Sequence, residues 1–421
     1  MLATEFNKAA ECSTVDSTSV PQLRVVEVDF HNDRRWLDFL CSHRDALVYH
    51  HPGWLTALES EYGRKCVALA CEDDQGELQG ILPLLPTRGF PLRWVRNQVH
   101  RRLSSLPRTP LAGPVANNEA ALAALLRAAV ERVKALPGYQ LELKTMIPGL
   151  EQLVPELQCI QWRGTWVRGL PTNEEPERDL IGDQTRTPRA CSKLSFGSSR
   201  QNHQVKWAVN KAKRQGVFMR PVSDKGELER WYNLYLILMR RHAVPPRPLR
   251  FFERLWDELQ PLGMMELVSA DLGDPDVYED ETDSTRAPAN AAPGKMVSGS
   301  IQVQFGHTAF WAFTGSTEDS TRLHVNDLTL WHCMHESCRQ GYDWFDLGEV
   351  AENHPELVQF KAKWGTLLKP MYRYYYPALS LSEEEEQKAP ESKLFQLAAS
   401  VWRKLPLPVV ALLGDWIMSY L

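Results

Sequence analysis

Asp346 stands in Trp344-Phe345-Asp346-Leu347-Gly348, a carboxylate at the end of an otherwise apolar run. A charge there is costly unless it is paired or used, so Asp346 is a candidate for orienting an acceptor or taking its proton. Shortly after comes Phe360-Lys361-Ala362-Lys363-Trp364-Gly365, with two cations two residues apart beside large aromatics. Directly behind the Asp346 strand, Lys361, with Lys363, would bring positive charge to a developing oxyanion. A plain surface turn is the alternative. Upstream, Phe310-Trp311-Ala312-Phe313 reads as a strand running into a Gly/Ser/Thr loop, and Asn326 is placed to cap the next helix. Trp311, Asn326 and Phe360 are also candidate substrate contacts.

Two stretches carry cations without acids. Between Leu78 and Asn118 there are Arg88, Arg93, Arg96, Arg101, Arg102 and Arg108, with no Asp or Glu. Between Gln184 and Ser223 there are nine basic residues, among them Lys206, Lys211 and Lys213, again with no acid. Such fields suit phosphate recognition, and Arg101, Arg102, Lys206 and Lys213 are candidates to contact an anionic substrate. A solvated face balanced by acids elsewhere is the other reading. The partners that fit are a diphosphate-bearing lipid or nucleotide, coenzyme A, or a tRNA backbone. The overall net charge of −5 excludes a globally basic nucleic-acid binder, and no DNA contact is expected. His332-Cys333-Met334-His335 and Cys338 lack a second ligand pair at zinc-like spacing, so no metal is expected. Hydrolase and nucleotidase readings have no motif behind them: a Gly-x-Ser-x-Gly elbow, a Walker loop and a Gly-x-Gly-x-x-Gly fingerprint are all missing.

The elements that position these residues repeat. Trp54 to Tyr62 is an amphipathic helix stopped by Gly63, followed by the strand-like Cys66 to Ala70 and by Gly76 to Leu82. Phe251 to Leu262, stopped by Gly263, leads likewise into Met265 to Val268 and Gly294 to Ile301. The helix Glu119 to Leu136 precedes Gly138 to Leu143, as Asp327 to Gln340 precedes Gly341 to Leu347. Three such coincidences in one order predict a duplicated domain in 421 residues, a length comfortable for two cores. Each unit reads as an α/β (α+β) layer with a mainly antiparallel mixed sheet. The predicted boundaries are a flexible lead over 1–21, a first domain over 22–170, a linker over 171–190 and a second domain over 191–379. The second domain carries a short helical arm at 200–242 and an acidic loop insertion at 271–293, a long hairpin loop. An acidic linker at 380–394 holds the run Glu383 to Glu386, and a C-terminal tail spans 395–421. The uncharged stretch Leu405 to Gly414 is too short to span a bilayer, so the tail reads as an interfacial segment or as a helix docked on the protein itself. Eight scattered cysteines read as reduced thiols of a cytoplasmic protein.

In order and spacing, His51-Pro52-x-Trp54 with Tyr62-Gly63, Lys211-Ala212-Lys213, Asn326-Asp327-Leu328 with Trp331, Trp344 to Gly348, and Phe360-Lys361-x-Lys363-Trp364-Gly365 resemble FemAB-type proteins. These belong to the GNAT acyltransferase superfamily, in the branch associated with peptidoglycan bridges and polysaccharides. The resemblance runs from about Pro21 to Pro377. It implies two tandem GNAT-like domains, and transfer of an acyl or aminoacyl group to an amine or hydroxyl of a cell-envelope or exopolysaccharide precursor. A Phe-Lys pair contributes to the transfer site of the family, and Phe360-Lys361 matches it. The pyrophosphate-binding loop of ordinary GNAT enzymes is not found, so acyl-CoA and aminoacyl-tRNA both stay open as donors. The acceptor implied is a lipid- or nucleotide-linked sugar or peptide, met on the cytoplasmic face of the plasma membrane. The competing reading is a duplicated GNAT fold without chemistry, a scaffold in a membrane-associated synthesis complex.

Overall fold

The computed structural model describes residues 22–89, 101–171, 194–273, 294–350, 354–381 and 393–420. The N-terminal lead, the linker from 172 to 193, most of the acidic insertion and the run Glu383 to Glu386 lie outside the described residues. So do Arg93 and Arg96.

The first half runs β1 (Arg24–Glu27), α1 (Arg34–Ser42), α2 (Pro52–Tyr62), β2 (Val67–Glu72), β3 (Leu78–Pro86) and β4 (Arg101–Ser104). It continues through a short β5 (Val115–Ala116), α3 (Glu119–Lys134), β6 (Tyr139–Thr145), a single turn α4 (Leu150–Leu153) and β7 (Gln158–Gly169). After α5 (Ser199–Arg214) the second half repeats that order, without an equivalent of β5. Its elements are β8 (Val217–Val222), α6 (Gly226–His242), α7 (Leu249–Leu259), β9 (Met265–Leu272), β10 (Lys295–Phe305) and β11 (Thr308–Ser316). Then come α8 (Val325–Arg339), β12 (Trp344–Glu349), α9 (Pro355–Ala362) and β13 (Leu367–Tyr376). Among the described residues two C-terminal helices follow, α10 (Lys393–Trp402) and α11 (Leu407–Met418). Every helix–strand echo read from the sequence therefore falls on equivalent elements, and the tandem GNAT-like architecture is the one observed.

The strands join in one sheet, β1-β2-β3-β4-β6-β13-β7-β12-β11-β10-β9-β8. Its centre holds an exchange. β13, the last strand of the second half, pairs with β6 of the first, while β7, the last strand of the first half, pairs with β12 of the second. The two exchanged strands also pair with each other, Leu367↔Val167 through Tyr375↔Gln158. A boundary near residue 170 therefore does not separate two self-contained sheets. The hydrophobic effect adds to the union: Trp36, Trp54 and Leu55 share a core with Trp231, Phe251 and Phe252. Within it, α2 and α7 are bridged by the buried ion pair of Glu61 with Arg247, the residue two before α7.

Two expectations change here. The helical arm of 200–242 is not a pair: Val205, Val209 and Ala212 of α5 pack in one core with α8, whereas Leu228, Trp231 and Tyr235 of α6 pack in another. The strand β8 divides them, and each helix buries its own apolar stripe against its own layer. The acidic insertion begins later than 271, because β9 runs to Leu272. Asp271 is fully buried there, accepting from Arg220 Nε at 3.1 Å. The hairpin itself is present, with Leu272 opposite Lys295.

Candidate active site

Among the described residues each half contains one parallel strand pair, joined by a crossover helix. β4 and β6 run together from Arg101↔Tyr139 to Ser104↔Glu142 and then part. β11 and β12 run together from Thr308↔Trp344 to Phe310↔Asp346 and part likewise. A carboxylate thus stands at the last shared register of both forks, Glu142 in the first half and Asp346 in the second. Both forks open into a single cavity of about 510 Å³.

At the first fork Glu142, 4% exposed, is saturated with partners. Its Oε1 accepts from Arg373 (3.1 Å) and Tyr375 (3.3 Å), and its Oε2 from Ser104 (3.1 Å), with Arg102 at 3.7 Å and Lys144 at 4.0 Å. Burial works to raise its pKa, but the Lys144, Arg102 and Arg373 cations outweigh it and hold the carboxyl well below its usual range. Lys144 is itself pulled down to about 8 by burial, its Nζ donating to the carbonyls of Leu106 (3.0 Å) and Thr109 (3.5 Å).

At the second fork Asp346, also 4% exposed, has few partners. Its Oδ1 accepts from Thr165 Oγ1 (2.5 Å) on the exchanged strand β7 and from the Gly348 N–H (2.6 Å). Burial prevails over these bonds and over the attraction of Lys361 and Lys369, and the pKa is raised. The register against β7 slips between Asp346 and Glu349, a bulge in which Gly348 takes φ +78°, a conformation that favours glycine. That turn aims the Gly348 amide at Asp346 and the carbonyls of 347–349 at Lys361. The Lys361 ammonium, buried and pulled down to about 8 by that burial, donates to Leu347 O (2.5 Å), Gly348 O (3.0 Å) and Glu349 O (3.2 Å). An ammonium has three donors, and here backbone carbonyls take them. Lys361 therefore braces the strand end that carries Asp346, and it does not line the cavity. The expected cation at an oxyanion is not the arrangement found.

The other residues singled out from the sequence divide. Arg102 and Trp311 line the cavity with Asp346, and Trp311 is held by a bond from its Nε1 to Ser300 Oγ (2.9 Å). Phe360 stands behind Trp311, ring centroids 6.5 Å apart. Lys363 points elsewhere, ion-paired with Asp327 in the first turn of α8 and lying over the Phe360 ring at 4.5 Å. Asn326 lies inside that turn and does not cap it; the N-cap is His324, without a side-chain bond. Arg101 is exposed on β4, Lys206 is exposed on α5, and Lys213 sits over the Trp331 ring at 5.5 Å; none of the three lines the cavity. Glu142, Lys144 and Arg373 were not singled out. Glu142 lies in the run Gly138 to Leu143 that echoes Gly341 to Leu347, but it stands four residues after its glycine where Asp346 stands five, and only the strand registers make the two equivalent.

A polar chain joins the forks across the exchanged strands. Arg373, bound to Glu142, lies 3.5 Å over the Trp162 ring, and Trp162 Nε1 donates to Glu349 at 3.0 Å. Among the described residues no group of three His, Cys, Asp or Glu is placed to hold a metal ion.

Residues 281–356 match the acetyltransferase (GNAT) domain model. The UDP-N-acetylmuramoylpentapeptide-lysine N(6)-alanyltransferase of Weissella viridescens is 21% identical over 197 residues, 45% of this chain and 51% of that protein. The match therefore spans about half the length of that relative. The crystal structure of FemX superimposes with a TM-score of 0.58 at 17% identity, covering 89% of this chain and 100% of that one. The C-terminal domain of a putative lysylphosphatidylglycerol synthetase from Agrobacterium fabrum gives 0.51 at 11% identity, covering 87% and 95%. At such identities the structures speak for the fold, which is FemAB-like and of the GNAT type.

Proposed function

We propose that the chain is an acyltransferase that passes an aminoacyl group from an ester donor to an amine on a cell-envelope precursor. The observation that carries this reading is Asp346, a buried carboxylate of raised pKa at a fork open to a cavity that Arg102 and Trp311 also line. The acceptor nitrogen attacks the ester carbonyl, a C–N bond forms, and Asp346 takes the proton that the nitrogen sheds. The C–O bond then breaks, and the leaving alkoxide takes that proton from Asp346, which restores the carboxylate. Lys361 is a positioning residue that fixes the carbonyls behind Asp346, and Thr165 orients the carboxylate. Arg102 and Arg373 give the first fork an affinity for the anionic part of the precursor.

Coenzyme A fits less well. Helix N-termini are the ready seats for a diphosphate, but the first turns of both crossover helices already hold acids, Glu119 in α3 and Asp327 in α8. An aminoacyl-tRNA donor agrees better with α5, whose outer face presents Arg200, Lys206 and Arg214 without an acid on the helix. It agrees also with the name of the Weissella relative, an alanyltransferase. The acceptor would then be lipid- or nucleotide-linked and met on the cytoplasmic side of the membrane. To test this, the purified protein is given labelled aminoacyl-tRNA or acyl-CoA with an amine-bearing, nucleotide-linked muropeptide, and the product is read by mass spectrometry. Transfer from the tRNA ester that Asp346→Asn abolishes supports the proposal. Transfer from acyl-CoA alone refutes the donor, and no transfer from either leaves the scaffold as the better reading.

A further inference from the structure

The C-terminal helix α11 is apolar nearly all round: Asp415 is the single charged residue in Leu407–Met418. A helix of that composition is normally enclosed on every side. This one is enclosed on only one. Val410, Gly414 and Met418, spaced by four, are buried against the body of the protein, and a Cβ at Gly414 would come within 2.6 Å of the Pro246 ring. Val409, Leu412 and Trp416 form a second stripe on the outside, with Leu412 70% and Trp416 46% exposed. The preceding helix α10 extends it with Leu397 and Val401, 63% and 56% exposed and one turn apart.

Charge is distributed to match. Asp415 is turned to the body by its ion pair with Arg250 at 2.6 Å, and it is the only acid between Lys393 and Leu421. Arg403 and Lys404, in the bend between the two helices, are exposed. No helix of the described residues is long and apolar enough to cross a membrane. An apolar stripe that ends in an aromatic residue, with cations beside it, is the pattern of a segment lying in the headgroup region of an anionic bilayer.

We infer that α10 and α11 form an interfacial membrane dock, its inner face seated on the protein and its outer face in the lipid headgroups. The dock touches the cavity. Arg64 donates to Ser419 O at 2.8 Å, Arg108 contacts the Met418 sulfur, and Tyr420 lines the cavity itself. The mouth of the cavity is thereby held near the membrane plane, where a lipid-linked acceptor would be presented. This last step rests on the proposed acyl transfer; the docking does not.

The test is co-sedimentation of the full chain with vesicles of phosphatidylcholine containing a third phosphatidylglycerol, beside vesicles of phosphatidylcholine alone. The chain should pellet with the anionic vesicles and less with the neutral ones. Leu412→Glu with Trp416→Ser should weaken the partition about ten-fold or more, because burial of each large side chain is worth roughly that factor. Leu412→Glu alone should melt at the wild-type temperature, since that side chain is 70% exposed, and should weaken the partition in the same direction. Failure of the wild type to pellet, or equal pelleting by the double variant, overturns the inference. So does a concentration-dependent dimer that the same substitutions dissolve, since the stripe would then be covered by a second copy. No outcome depends on transfer activity.

Discussion

Glu142 and Asp346 occupy the same place in a duplicated fold, yet their surroundings move their pKa values in opposite directions. Around Glu142 the chain gathers Arg102, Lys144 and Arg373, which hold the carboxyl ionised. Around Asp346 it supplies one hydroxyl and one amide, and burial leaves the carboxyl eager for a proton. The contrast shows how one position of a duplicated fold can be given two environments: one copy of the buried acid is ringed by cations, while the other keeps two neutral donors and a raised pKa. The exchanged strands enforce the difference. β13 carries Arg373 and Tyr375 to the first fork, and β7 carries Thr165 to the second.

The comparison breaks most visibly at Asp346. Asp346→Asn should lower kcat/KM by about 10²–10⁴-fold, the usual worth of a positioned base. Its melting temperature should hold or rise, because a carboxylate with a raised folded pKa binds more protons folded than unfolded and so opposes folding at neutral pH. Loss of stability along with activity would mark Asp346 as structural.

Glu142→Gln should do the reverse. It leaves three cations facing one amide, and the cost is about 3 kcal/mol or more in urea unfolding at pH 7. The depressed pKa of Glu142 gives stability above the unfolded carboxyl value that is lost as pH falls through the folded one. The difference between wild type and variant should therefore shrink in acid, below about pH 4. A constant difference would contradict the pairing.

Lys361→Met comes next. Three carbonyls lose their donor, and kcat should fall by about ten-fold with KM little changed, since the brace acts on the geometry of Asp346. A fall in kcat as deep as that of Asp346→Asn would restore a direct role for the ammonium. The smallest change is expected for Thr165→Val. Removing a donor to the carboxylate should move the acidic limb of the rate profile to higher pH, by about one unit or less. A shift to lower pH would mean that Thr165 does not favour the charged form.

Much of the fold was legible because helix–glycine–strand punctuation is local and was copied twice. Asp346 was legible for a related reason, as a charge in an apolar strand is conspicuous. Glu142 was not, because Tyr139-Gln140-Leu141-Glu142-Leu143-Lys144 alternates as an ordinary half-exposed strand does. What buries Glu142 is β13, contributed by residues more than 220 positions further on. Lys361 looked like a free cation because its carbonyl partners appear only when Gly348 turns the backbone. Arg220 falls in the basic stretch between Gln184 and Ser223, and Asp271 in the stretch read as an acidic loop; in the fold Arg220 pairs with both Glu227 and Asp271.

The most direct test is the pH dependence of kcat/KM for the wild type, Asp346→Asn and Glu142→Gln under identical donor and acceptor conditions. The account predicts an acidic limb in the wild type and in Glu142→Gln, with rates falling as Asp346 is protonated, and a flat profile in Asp346→Asn over the same range. An acidic limb that survives in Asp346→Asn, or that disappears in Glu142→Gln, would contradict it.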